Sequence, residues 1–279
     1  MLIGSVVVLY NPTADEISNI NTYANKVDFV NIIDNSSNDN SELVKRLLQS
    51  LNNVTYTYNH ENVGLCKALN QGVRKAIDAG CEWTAVFDAD SKLKTDIFQV
   101  YKEAIQNYDD IEDVAVLAPQ HYFDRSVKKR YYGYKQVKWA MTSGWLINNA
   151  IFEKLNGFFE PLFVDGLDLD YCYLARERGY KVVECGEAII DHKPAISEQF
   201  KLGPITITLG VATPYRYYLQ ARCLIWSIGR YHHCGDIGMY IIKWIKVIFF
   251  FDAKKEYIKK MIKGTTDGLH LYKKYKNIR

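Results

Sequence analysis

Apolar residues in the first half of the chain fall into short runs, separated by stretches where they recur every three to four positions. The runs at 3–9, 29–33, 54–58, 83–87 and 114–118 are rich in β-branched residues and predict strands. The periodic stretches at 15–25, 41–51, 65–79 and 95–107 predict helices. Strand and helix alternating at this spacing predict βαβ units: an α/β fold with a mostly parallel central sheet flanked by helices. From 120 to 138 the pattern dissolves into aromatic and basic residues without a period, which predicts a hairpin or surface loop. A further strand is expected over 139–149 and a short helix over 151–155, closed by Asn156-Gly157.

In such sheets ligands gather outside the carboxyl ends of the strands. Polar clusters stand at three of those ends: Tyr10-Asn11-Pro12, Asp34-Asn35-Ser36-Ser37 and Asp88-Ala89-Asp90. Each also suits turn and helix-capping chemistry, but three on one sheet edge point to a binding site. Asp88 and Asp90, two apart after an apolar run, are hard oxygen ligands suited to Mg2+ or Mn2+, a shell that substrate phosphates and water complete. Asp165-Gly166-Leu167-Asp168-Leu169-Asp170 is the densest acidic cluster of the chain. Acids there suit a helix N-terminus, yet three within six residues exceed what capping needs. Asp168 is the candidate general base for a hydroxyl. His192, after the run ending at Ile190, is a candidate third metal ligand or diphosphate donor.

Composition narrows the picture. The chain has 279 residues, 48% hydrophobic and 24% charged, with six prolines, enough for one large α/β domain and an appendage. The six cysteines form no C-x-x-C pair and read as reduced structural residues. Met1 leads into a strand with no basic leader, so a cytoplasmic location is expected. The net charge of +3 is uneven: residues 240–279 hold eleven Lys and Arg against three acids, leaving −5 for the rest. The preceding run, 237–251, is shorter than a bilayer span and contains Lys243 and Lys246. An interfacial helix on an anionic membrane surface, at the inner face of the cell membrane, fits it, as does a helix packed on the core or on a second subunit in a homo-oligomer. Nucleic acid is not an expected partner, because the aromatic run is too apolar for a solvated arm. The division expected is a catalytic domain at 1–231 and a helical extension at 232–279.

With these motifs in order, the chain resembles glycosyltransferase family 2 and, within it, the bacterial rhamnosyltransferase-like branch. The resemblance spans residues 3–231. It rests on the runs ending in Leu9-Tyr10-Asn11-Pro12 and Asp34-Asn35-Ser36-Ser37, on residues 62–72 from Asn62-Val63-Gly64 to Asn70-Gln71-Gly72, on Phe87-Asp88-Ala89-Asp90, on Ser143-Gly144, and on residues 163–170. It implies a GT-A fold, a nucleotide-sugar donor, and inversion at the anomeric carbon by direct displacement. It also implies that Asp34 contacts the pyrimidine base, with Asn35 in the same donor site, and that the backbone near Tyr10 and Asn11 lines the nucleotide pocket. Asp88 would sit near the ribose or sugar, and Asp90 would bind Mn2+ or Mg2+. Asn62, Gly64 and Lys67 would border the donor, Arg222 would reach the diphosphate or acceptor, and Asn70 and Gly72 would serve packing. Where many members carry Glu-Asp, this chain has Leu167-Asp168, so the base is shared in principle between Asp165 and Asp168. Cys223 stands where an Asn is common in the branch.

The transfer implied is of L-rhamnose from dTDP-rhamnose to a hydroxyl of a growing cell-surface glycan, lipid-linked acceptors included. UDP-glucose, UDP-galactose or UDP-galactofuranose are the alternative donors. A nucleotidyltransferase would show a Gly-rich, basic loop after the first strand, and Leu9-Tyr10-Asn11-Pro12 is neither. A non-catalytic glycan-binding protein would need neither Asp90 nor Asp168.

Overall fold

The computed structural model describes residues 1–122, 131–191, 196–202 and 205–278. Residues pack into two compact units, one of 1–163 with 167–193 and one of 164–166 with 194–279. The division by packing therefore falls earlier than residue 231, because the long helix ending there belongs with the C-terminal helices.

The first unit begins with β1 (Ile3–Leu9), α1 (Ala14–Ile20), β2 (Phe29–Asp34), α2 (Ser41–Ser50), β3 (Val54–Tyr58), α3 (Leu65–Asp78) and β4 (Trp83–Asp88). It continues with β5 (Lys92–Leu93), α4 (Ile97–Asn107), β6 (Val114–Tyr122), β7 (Tyr134–Gln136), β8 (Trp145–Asn148), α5 (Asn149–Lys154), α6 (Leu167–Glu177) and β9 (Lys181–Asp191). Among the described residues these strands form one nine-stranded sheet in the order β3-β2-β1-β4-β8-β6-β9-β5, with β7 also on β9. The half read as βαβ units is parallel: β1 runs with β2 and β4, and β2 with β3. Beyond β4 the sheet is mixed, since β8 runs antiparallel to both β4 and β6 while β6 and β9 are parallel.

Burial explains the apolar runs of β1 and β4. Helices cover both faces of a parallel sheet, so β1 and β4 have no solvent face and their residues need not alternate. Gly72 lets α3 lie close on β1, because a Cβ there would stand 2.3 Å from Val6 Cγ1. Asn70, buried in the same helix, donates to Phe158 O (2.9 Å) and accepts from Phe158 N (2.8 Å), fastening the chain after α5 to α3.

Two elements differ from the sequence reading. The helix expected over 15–25 ends at Ile20 and resumes as a 3-10 turn at Ala24–Lys26, since Asn21 and Thr22 are weak helix formers and Thr22 Oγ1 bonds back to Asn19 O (2.6 Å). The strand expected over 139–149 is only β8, because a turn closed by Trp145 N to Thr142 O (3.0 Å) precedes it. In the aromatic stretch β7 pairs antiparallel with β9; residues 123–130 lie outside the described residues.

The second unit comprises β10 (Ile196–Leu202), β11 (Ile205–Val211), α7 (Pro214–Tyr231), α8 (Cys234–Phe249) and α9 (Lys254–Tyr275). The two strands pair as an antiparallel hairpin. Tyr217, Ala221, Val247, Phe251, Tyr257 and Met261 form its core.

Candidate active site

Register alone gathers the first three polar clusters. Leu9 pairs with Asp34 and Val8 with Asp88, so the segments following β1, β2 and β4 leave the sheet side by side. Asn11, in the left-handed region at φ 49°, donates its N–H to Ser36 Oγ (2.6 Å). Asn35 N donates to Leu9 O (2.8 Å), and its side-chain amide donates to Gly64 O (3.2 Å). Asn62 accepts from Gly64 N (3.0 Å) at the entrance to α3. Tyr10, Asn11, Asp34, Asn35, Asn62 and Gly64 thus belong to one connected cradle. Tyr10 is 57% exposed and offers its ring to whatever enters. Lys67 projects from the exposed side of the first turn of α3.

Asp34 is fully buried, and protein donors already hold its carboxylate. Oδ1 accepts from Ser36 N (2.9 Å); Oδ2 accepts from Asn40 Nδ2 (2.8 Å) and from Tyr56 OH (2.7 Å). The Tyr56 hydroxyl is raised far above its ordinary pKa, first by burial and then by these carboxylate bonds, so it remains a donor. The carboxylate therefore orders the loop 35–40. Tyr56 and Asn40 were not singled out in the sequence.

At the end of β4, Asp88 is half-buried and Asp90 exposed. Ser143 clamps the turn between them: Asp88 N donates to Ser143 Oγ (3.2 Å), which lies 2.5 Å from Ser91 Oγ, while His121 Nε2 lies 2.8 Å from Ser143 O. The Ser143-Gly144 pair was visible in the sequence, but its partner His121 carried no signal. A hard divalent ion that shares its shell with phosphates and water needs only one or two protein carboxylates, and Asp88 with Asp90 match that donor set. No cluster of three His, Cys, Asp or Glu suited to a metal occurs among the described residues, and His192 lies outside them.

Asp168 stands in the first turn of α6, half-buried, its Oδ1 accepting from Leu169 N (2.9 Å). One turn on, Tyr171 packs against Trp145 of β8 at 6.1 Å between ring centroids, and Trp145 pairs with Val86, two residues before Asp88. The first turn of α6 is thereby tied to the strand next to β4. Just upstream, Phe163 adopts φ 74° and ψ −66°, the rare γ-turn geometry, with its carbonyl accepting from Cys66 N (3.2 Å). Its ring occupies the space beside Gly64, where a Cβ would come within 2.5 Å of it.

The model of the family described as glycosyl transferase family 2 matches residues 17–162, just over half of the chain. The chain belongs to glycosyl transferase family 2. This glycosyltransferase is 24% identical to the dTDP-rhamnosyl transferase RfbF of Shigella flexneri over 96% of its own length and 95% of the relative's. It is 23% identical to the low-salt glycan biosynthesis hexosyltransferase Agl10 of Haloferax volcanii, over 95% and 90% of the two chains. In fold it is similar to GalNAc-T7, solved with UDP, GalNAc and Mn2+, at a TM-score of 0.63 and 12% identity. That match covers 99% of this chain and 58% of the other. It is also similar to S. aureus TarS 1–349 in complex with UDP, at 0.53 and 13%, covering 94% and 70%. The architecture is GT-A.

In the transferase's second unit, Asp165 belongs to a different arrangement from Asp168. Its Oδ1 accepts from Arg216 Nη2 (2.8 Å), while Oδ2 is buried. Burial raises its pKa, opposed by the charges of Arg216 and Lys243. Lys243 in turn donates to Gln220 Oε1 (2.7 Å); burial, with Lys246 nearby, pushes its ammonium down to about 8. Gly166, at φ 83°, has no room for a side chain, since a Cβ would stand 1.7 Å from Cys223 Sγ. Arg222, half-buried on α7, faces Tyr218, whose hydroxyl donates to Asp267 (2.8 Å). Arg216, which the sequence reading did not single out, pairs with Asp165.

Proposed function

We propose that this glycosyltransferase inverts configuration as it moves L-rhamnose from dTDP-rhamnose to a hydroxyl of a growing cell-surface glycan, with lipid-linked acceptors included. The observation that supports the reading is the polar cradle on three parallel strand ends together with Asp168 in the first turn of α6, the helix whose Tyr171 packs on Trp145 of β8. The donor sugar rests on the full-length likeness to a dTDP-rhamnosyl transferase.

In this account the Asn11, Asn35 and Gly64 backbones shape the nucleotide pocket around the exposed Tyr10 ring. Asp34 keeps that pocket in shape by holding the loop 35–40, a positioning role that its burial favours over direct contact with the base. Asp168 takes the proton of the acceptor hydroxyl. The hydroxyl oxygen forms its bond to the anomeric carbon from the face opposite the departing diphosphate, which leaves with the electron pair of the broken C–O bond. The partial positive charge at the N-terminus of α6 favours the ionised carboxylate that this role requires. Asp165, held by Arg216, positions the segment leading to Asp168. Asp90 with Asp88 would hold Mg2+ or Mn2+, which when bound offsets charge on the diphosphate. The catalytic module in this reading runs through α7, residues 1–231, since Arg216 supplies Asp165's partner.

The test is nucleotide release from dTDP-rhamnose and from UDP-glucose, UDP-galactose and UDP-galactofuranose, by wild type and Asp168→Asn. Turnover should be selective for dTDP-rhamnose, and Asp168→Asn should lower it by about 10²-fold or more while nucleotide affinity is retained. Turnover of a UDP-sugar alone would replace the donor assignment. Near-normal turnover by the variant would remove Asp168 as the base.

A further inference from the structure

Helix α8 keeps charged anchors on its packed side beside Val247 and leaves an apolar face outside. The side that packs within its own unit carries the polar anchors: Asp236, fully buried, accepts from Ser227 Oγ of α7, Lys243 donates to Gln220, and Tyr240 OH lies 2.6 Å from Thr265 Oγ1 of α9. The outer side carries Ile237, Ile241, Ile242, Ile245, Ile248 and Phe249, each between 43% and 70% exposed. At 100° per residue these six fall within one sector of about 140° that contains no charged residue. A soluble helix presents the opposite pattern, so this face needs a partner.

Charge decides which. The exposed residues of α9 include Lys254, Lys255, Lys259, Lys263, Lys273 and Lys274, with Ile262 and Leu269 set among them at 55% and 47% exposure. Pairing two copies through this region would bring together two tails with eleven Lys and Arg against three acids each. An anionic lipid surface offers apolar depth and negative headgroups together. No helix among the described residues is long and apolar enough to cross a membrane, so the contact lies in the interface plane. We propose that the α8 isoleucine face inserts into the interface of an anionic bilayer while the α9 lysines meet its headgroups.

The test is co-sedimentation of the full chain with vesicles of phosphatidylcholine alone and of phosphatidylcholine with phosphatidylglycerol, together with its solution mass without lipid. Binding should favour the anionic vesicles and weaken with salt. Combined Ile241→Asp and Ile245→Asp should reduce partitioning about tenfold or more with an unchanged unfolding transition, since both positions are exposed. Lys255→Gln, Lys259→Gln and Lys263→Gln together should abolish the preference for anionic vesicles. Absence of vesicle binding, full binding by the aspartate variant, or a stable dimer that this variant dissolves would each overturn the proposal. No nucleotide sugar is used, so its failure leaves the transferase reading standing.

Discussion

Gly64 joins two parts of the site that the sequence keeps a hundred residues apart. Its carbonyl accepts from Asn35, its N–H donates to Asn62, and the ring of Phe163 lies where its side chain would be. Its φ of 89° is also one that residues with a Cβ rarely adopt. Gly64→Ala should therefore lower stability by about 2 kcal/mol or more and weaken nucleotide binding as well, measured by urea unfolding and by titration with dTDP. A change in stability with unaltered binding would separate Gly64 from the donor cradle. The positions of polar residues at the sheet edge were legible where they followed an apolar run, as at Asp34 and Asp88. The chemistry was hidden where a residue acts through another: nothing local marks Tyr56 as the donor to Asp34, or Arg216 as the partner of Asp165.

Elements were legible in proportion to their burial. β1, β4 and the helix at 65–78 stand out because parallel strands buried on both faces and their covering helices carry strong apolar signals. β5, two residues long, and β7, three exposed residues, have no such signal and exist because β9 offers them an edge. Helix α8 was visible as an apolar run, but which side faced the protein was not, because its anchors Asp236 and Lys243 are polar. Lys243 yields a stability prediction. Its folded pKa of about 8 lies below the ordinary lysine value of 10.5, through burial first and the Lys246 charge second; Asp165 opposes both. Between those values the unfolded chain holds a proton that the folded chain has released, so Lys243 makes stability rise with pH over that window. Buried thiols and tyrosines with raised pKa values act in the opposite direction in both proteins. Subtracting the pH profile of Lys243→Met from that of wild type should leave a rise from about pH 8 upwards. A flat difference would show that Lys243 is not titrating in its buried setting.

At the scale of the whole molecule, the sheet's parallel half builds the polar cradle at its strand ends, and its mixed half carries the Ser143 clamp and the strand against which Tyr171 of α6 packs. The βαβ alternation predicted the first half. The second could not be read as directly, since β6, β8 and β9 pair across long separations and irregular connections. The proposed role of the three strand ends is to bind a nucleoside diphosphate with a divalent ion. The decisive experiment is calorimetric titration of dTDP into the full chain, with and without Mn2+, for wild type and Asp90→Ala. Mn2+ should tighten binding to wild type by about tenfold or more, and Asp90→Ala should lose most of that gain. Absence of dTDP binding, or a Mn2+ effect equal in the two proteins, would contradict it.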